Sequence, residues 1–167
     1  MGNLRNLPIK NSKVKKTAYK GLVRPILEYC GSVWDPHHKI YQKKLEMVRR
    51  SAARYVMGNY HNTSSVSKML DQLKWETLLQ RRSRVRLINF YKIQNSLIAV
   101  PIPPIMAFKE RPRPGHPHQY LIPHCTTDAY IKSFFPSAMR QWNGLPLTIT
   151  SLSSLSEFST ALFSHPL

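Results

Sequence analysis

Apolar residues recur every fourth position from Val14 through Ala18, Leu22 and Ile26 to Cys30, with Tyr29 and Val33 beside them. That spacing lines up one stripe along a helix, to be buried against a neighbour. It predicts a first helix over about 12–31, with Ser12 as N-cap. Pro25 lies inside the pattern, where a missing backbone donor predicts a kink or a break. Asp35-Pro36-His37-His38 predicts a turn. A second helix follows over 39–57, with Tyr41, Leu45, Val48, Ala52 and Tyr55 or Val56 inward and Gly58 as a left-handed cap. Asn62-Thr63-Ser64-Ser65 offers caps for a short helix that buries Val66, Met69, Leu70 and Leu73. A third long helix is expected over 77–97. Trp75 would anchor its start, and Leu78, Val85, Ile88 or Asn89, and Tyr91 or Lys92 would follow at helical spacing.

The pattern changes after Ala99. Pro101, Pro103, Pro104, Pro112, Pro114 and Pro117 with Gly115 exclude regular helix and predict an extended connector. Beyond it, Tyr120-Leu121-Ile122 and Ala129-Tyr130-Ile131-Lys132-Ser133-Phe134 read as two short strands around a Thr126-Thr127-Asp128 turn. Two strands are marginal alone, so they are expected to pack on the helices, including a short one over 137–142. A last helix should begin at Ser154, with Glu157 completing a capping box and Leu155, Phe158 and Leu162 inward.

Charge sharpens this picture. The chain has 25 Lys and Arg against 8 Asp and Glu, a net +17. Residues 1–100 hold 20 basic and 5 acidic side chains, whereas 101–167 hold 5 and 3. Such an imbalance points to nucleic acid or another anionic surface as partner, and places it on the first hundred residues. Two cysteines, Cys30 and Cys125, are too few for a disulfide framework and are expected as reduced, mostly buried thiols. No apolar run reaches the roughly 18 residues of a membrane span, and no secretory signal is evident. The expectation is an intracellular chain, cytoplasmic or nuclear, with no membrane partner. An acid-free start before Glu28 and a Met1-Gly2 opening are weak hints of a transit peptide or of myristoylation.

Candidate chemistry is sparse. The eight acids are scattered singly, so no carboxylate pair could hold two magnesium ions for phosphoryl transfer. His116, His118, His124 and Cys125 are zinc-type ligands but lack a paired arm and neighbour prolines, so ordinary loop residues are expected and no metal or cofactor is assigned. Trp34, Trp75 and Trp142 could stack on bases, yet each sits in an apolar pattern and reads as a core anchor.

Several blocks occur in a telling order: Leu22-Val23-Arg24-Pro25-Ile26-Leu27-Glu28-Tyr29, Val33-Trp34-Asp35-Pro36, Arg49-Arg50-Ser51-Ala52-Ala53-Arg54-Tyr55-Val56, Trp75-Glu76-Thr77-Leu78-Leu79-Gln80-Arg81-Arg82, Ser133-Phe134-Phe135-Pro136 and Gln141-Trp142-Asn143-Gly144-Leu145-Pro146. Together they resemble the region after the catalytic palm in reverse transcriptases of non-LTR (LINE-type, jockey-like) retrotransposons. Gly2-Asn3-Leu4-Arg5-Asn6-Leu7 is similar to the block that closes that palm. The palm's aromatic-x-Asp-Asp turn is absent, so the resemblance implies a non-catalytic thumb and carboxy-terminal segment. The fold expected is mainly α: a basic, thumb-like bundle over 1–99, a Pro-rich connector over 100–118, and a small α+β appendage over 119–167. The resemblance assigns a grip on RNA or an RNA/DNA duplex, without sequence preference, to Lys43, Lys44, Arg49, Arg50, Arg54, Arg81, Arg82, Arg84 and Arg86. By helical spacing, Arg81, Arg82, Arg84 and Arg86 are expected on two flanks of one exposed surface. The alternative is a recruited or remnant structural or protein-interaction module.

Overall fold

The computed structural model describes residues 11–31, 35–36, 38–61, 63–110, 118–124 and 126–165. The chain divides into two compact units, Met1–Arg81 and Arg82–Leu167. The Pro-rich stretch therefore lies inside the second unit.

In the first unit, α1 (Ser12–Ala18) continues through a π-helical turn, Tyr19–Val23, into α2 (Arg24–Glu28). Pro25 explains the widened turn. It has no N–H for the Gly21 carbonyl and its ring crowds that group, while the Arg24 N–H reaches back five residues to Tyr19. The wider turn also shifts the helical register. Tyr19 is buried and stacks on Trp75 with ring centroids 4.4 Å apart. The stripe expected inside is instead largely outside: Val14, Leu22, Ile26 and Tyr29 are all exposed, Ile26 at 75% and Tyr29 at 77%. Cys30 also departs from expectation. It is a free, exposed thiol at φ 50°, past the end of α2.

The second helix, α3 (Lys39–Met57), has the expected bounds and ends on Gly58 at φ 65°. The short α4 (Val66–Leu73) is capped by the Ser65 hydroxyl and buries Val66, Met69, Leu70 and Leu73, the four residues its spacing predicts. These pack with Ala53, Tyr55 and Val56 of α3 to form the core of this unit. The Lys16 ammonium donates to the Leu73 carbonyl at 3.5 Å, satisfying one of the orphan acceptors at the end of α4.

The third long helix, α5 (Leu78–Gln94), starts at a capping box. The Thr77 hydroxyl accepts from the Gln80 N–H, and the Gln80 side chain accepts from the Thr77 N–H. Over residues 82–94 burial runs around most of the helix. Arg82, Ser83, Arg84, Arg86, Leu87, Phe90, Tyr91 and Ile93 are buried, whereas Val85, expected inward, is 40% exposed.

In the second unit, Trp142 is fully buried at the centre. Its ring lies 5.5 Å from Phe90, 5.6 Å from Phe158 and 6.3 Å from Tyr120. Its indole N–H donates to the His118 carbonyl. The unit contains α6 (Asp128–Ile131), α7 (Phe134–Trp142), α8 (Leu147–Thr150) and α9 (Leu155–Ser164).

The α+β appendage is corrected. Among the described residues there is no sheet, only a single antiparallel bridge between Phe108 and Tyr120. Tyr120 is held by Asn143, which accepts from its N–H at 2.8 Å and donates to its carbonyl at 2.9 Å. The expected second strand is α6 running into α7. Thr127 caps α6 by accepting from the Tyr130 N–H, and Asp128 in the first turn complements the helix dipole. Pro136 falls in the first turn of α7, where its missing donor costs nothing. Ser154 precedes α9 as expected, but its hydroxyl pairs with Ser156 in place of a backbone cap.

Candidate nucleic-acid interface

The outer face of α3 gathers the charge. Six of its residues over 39–54 are basic, and its single acid is Glu46. Lys39, Lys43, Lys44 and Arg50 are exposed and Arg54 is half-buried. Among the described residues, Lys39, Lys43, Lys44, Arg50 and Arg54 take part in no ion pair. The Lys44 ammonium lies 5.8 Å from the Tyr41 ring on the preceding turn.

Glu46 is turned the other way. It pairs with Arg49, and its second oxygen accepts from the Leu78 N–H at 3.5 Å. Arg49 is 5% exposed. It donates to the Trp75 carbonyl at 2.7 Å and the Glu76 carbonyl at 2.8 Å. The pair thus joins α3 to the segment that opens α5, and the exposed charges left on α3 are all positive. Burial beside these groups raises the Tyr19 phenol to about 12, with the Arg49 cation opposing the rise.

The nine residues assigned to phosphate binding therefore separate into two sets. Lys43, Lys44, Arg50 and, in part, Arg54 face solvent. Arg49 does not, and its signal in the sequence is that it shares the stripe of Ala52, Ala53 and Val56 at helical spacing. Arg81 is half-buried and grips Glu28 through Nε and one terminal nitrogen, the latter at 3.0 Å. That carboxylate raises the Arg81 guanidinium above its ordinary value, against the opposing effect of burial.

Arg82, Arg84 and Arg86 are 3%, 6% and 6% exposed, so they form no exposed flank. Arg84 shows why a guanidinium can be interior. It donates to the Leu162 carbonyl at 3.0 Å and the Phe163 carbonyl at 3.5 Å, and lies 5.1 Å from the Phe163 ring. Those carbonyls close α9, where a cation also complements the dipole.

Trp75 and Trp142 are packed against other rings, not presented for base stacking. Trp34 lies outside the described residues, as do Cys125 and His116. His118 and His124 are exposed, and no group of three potential metal ligands occurs among the described residues. Nor is any helix among the described residues long and apolar enough to cross a membrane. A hollow of about 440 Å³ beside α9 is lined by Leu152, Ser156, Glu157, Thr160, Ala161 and Ser164, with Glu157 its one ionisable group.

Comparison with protein-family models, with curated proteins and with solved structures returned no match for this chain.

Proposed function

We propose that this chain is a non-catalytic, reverse-transcriptase-like module that binds nucleic acid through the solvent face of α3, without reading sequence. The observation that carries the reading is the division of charge on that helix. Its one acid is committed inward to Arg49, while Lys43, Lys44 and Arg50 face solvent with no acid among them. Solvated helix faces normally mix both signs; a one-signed face neutralises phosphates, and counterion release supplies the affinity. The order of thumb-type motifs supports the same reading, and the scattered carboxylates support a module without polymerase chemistry. An intracellular setting, where nucleic acid is available, belongs to this proposal.

The test is fluorescence anisotropy on a labelled RNA/DNA duplex across a salt series. Log affinity should fall steeply with log salt, and Lys43→Glu with Lys44→Glu and Arg50→Glu should weaken binding to every sequence alike. The slope should flatten by about 2 to 3, near 0.9 for each phosphate no longer neutralised. Equal binding by the folded triple variant would overturn the assignment. The same protein should extend no primer on an RNA template with magnesium.

One observation favours the second reading, a protein-interaction module. Leu22 and Ile26 on the π-turn and α2, with Tyr29 just past its end, are exposed apolar side chains. Binding of nucleic acid that persists in a Leu22→Ser, Ile26→Ser variant would separate the two surfaces.

A further inference from the structure

Lys39, Lys43, Met47, Arg50 and Arg54 fall within an arc of about 80° on α3, at 3.6 residues per turn. Lys39, Lys43 and Arg50 are exposed, Arg54 is half-buried, and Met47 is 62% exposed. Their spacing along the axis is uneven. Lys39 and Lys43 are one turn apart, about 6 Å, as are Arg50 and Arg54. The two pairs are offset by eleven residues, about 16.5 Å, and the turn between them offers an apolar side chain to solvent on this face.

From this pattern we infer that α3 lies across a groove of a double-stranded nucleic acid. Lys39 and Lys43 take phosphates of one strand, Arg50 and Arg54 those of the other, and Met47 sits over the groove between. The inference rests on the proposed binding role of α3 and adds Lys39 and Met47 to it. Phosphates along one strand repeat every 3.4 Å of helix rise, so a helix tracking a single backbone would profit from evenly spaced cations. Two cation pairs, with Met47 between them and the neighbouring Glu46 paired to Arg49, match two backbones with an opening between them. The offset brackets an opening of about 12 Å, such as the B-form major groove, or the wide, shallow minor groove of A-form duplexes. It overshoots the B-form minor groove, about 6 Å wide.

The experiment compares salt slopes on three probes of equal length: an RNA duplex, the same duplex with one strand's phosphates replaced by neutral methylphosphonates, and the charged single strand. The 167-residue chain is used, with circular dichroism on every variant. The slope on the half-neutral duplex should be about half that on the full duplex, because one pair loses its partner strand. Lys39→Gln with Lys43→Gln should lower the full-duplex slope by about 2, and Arg50→Gln with Arg54→Gln by a similar amount. Met47→Glu, at an exposed position, should weaken duplex binding several-fold with the fold intact.

An unchanged slope on the half-neutral duplex, or equal affinity for the single strand, overturns the groove-spanning arrangement while the nucleic-acid reading survives. Absence of binding to all three probes at low salt overturns both. Phosphatidylcholine–phosphatidylserine vesicles form a last arm. If they displace the duplex, and if the two pair variants weaken vesicle binding equally, the ridge is a general anion surface and the inference fails.

Discussion

Arg49 and Arg50 are adjacent in sequence and opposite in role. One residue along the helix turns a side chain by about 100°, enough to take it from interior to solvent. Arg49 donates to two part-buried carbonyls and pairs with the partly exposed Glu46 carboxylate. Arg49→Met should therefore destabilise the fold by about 1 to 3 kcal/mol, the cost of leaving part-buried acceptors without a donor. Arg50→Met should change stability by no more than about 0.5 kcal/mol. Urea melts of both variants check this, and equal midpoints would show that the Arg49 network adds nothing net. The same rotation sets exposed Met47 against half-buried Val48. At this scale an arginine count says little until each guanidinium is placed.

Elements obey their local signals wherever a cap or a breaker is strong. α3 ends where Gly58 permits φ 65°, and a Cβ built on Gly58 meets nothing within 4 Å. The cost of Gly58→Ala is therefore purely conformational, about 1 kcal/mol, and a thermal melt should show it with α3 otherwise unchanged. Gly58→Asn, tolerant of the left-handed region, should lose less. An alanine variant as stable as wild type would mean that the last turn frays at no cost. Pro25 works in the opposite sense, widening a helix it does not end. The segment read as a second strand shows capping outweighing alternation. Thr127 and Ser133 each precede a helix start, and Pro136 fits the first turn of the second of these. Over six residues an alternating pattern is weak evidence, and the Thr127 cap overrides it, while the Ser133 hydroxyl donates back to the Tyr130 carbonyl at the junction of the two helices.

For the molecule as a whole, the largest aromatic cluster and most of the exposed charge lie in different parts of the chain. The rings of Phe90, Tyr120, Trp142 and Phe158 form one buried cluster in the second unit. Trp142→Ala removes its centre and should cost about 3 to 5 kcal/mol, the range for deleting a large buried aromatic. Differential scanning calorimetry checks the magnitude, and a loss below about 1 kcal/mol would contradict the packing described. The charge lies elsewhere. Residues 1–100 hold all but 5 of the 25 basic side chains, so electrostatic attraction of an acidic partner is expected to act through them.

Much of the fold was legible in the sequence because its signals are local. The bounds of α3, the caps and buried face of α4, the start of α5 and the inward Trp142 all follow from side chains acting within a turn or two. Net charge and the scattered carboxylates were equally plain, since neither depends on contacts. Two features needed the tertiary structure. The π-turn before Pro25 moved the register of the first helix, exposing Leu22 and Ile26 and burying Tyr19 against Trp75. The arginines at 49, 82, 84 and 86 were drawn inside. For Arg49 and Arg84 the acceptors include carbonyls 26 to 79 residues away in sequence, a distance no periodicity encodes. The sequence alone determined that the surface would be positive. Which cations form that surface was decided by the tertiary structure, because a guanidinium is buried only where distant carbonyls or carboxylates replace the water it gives up.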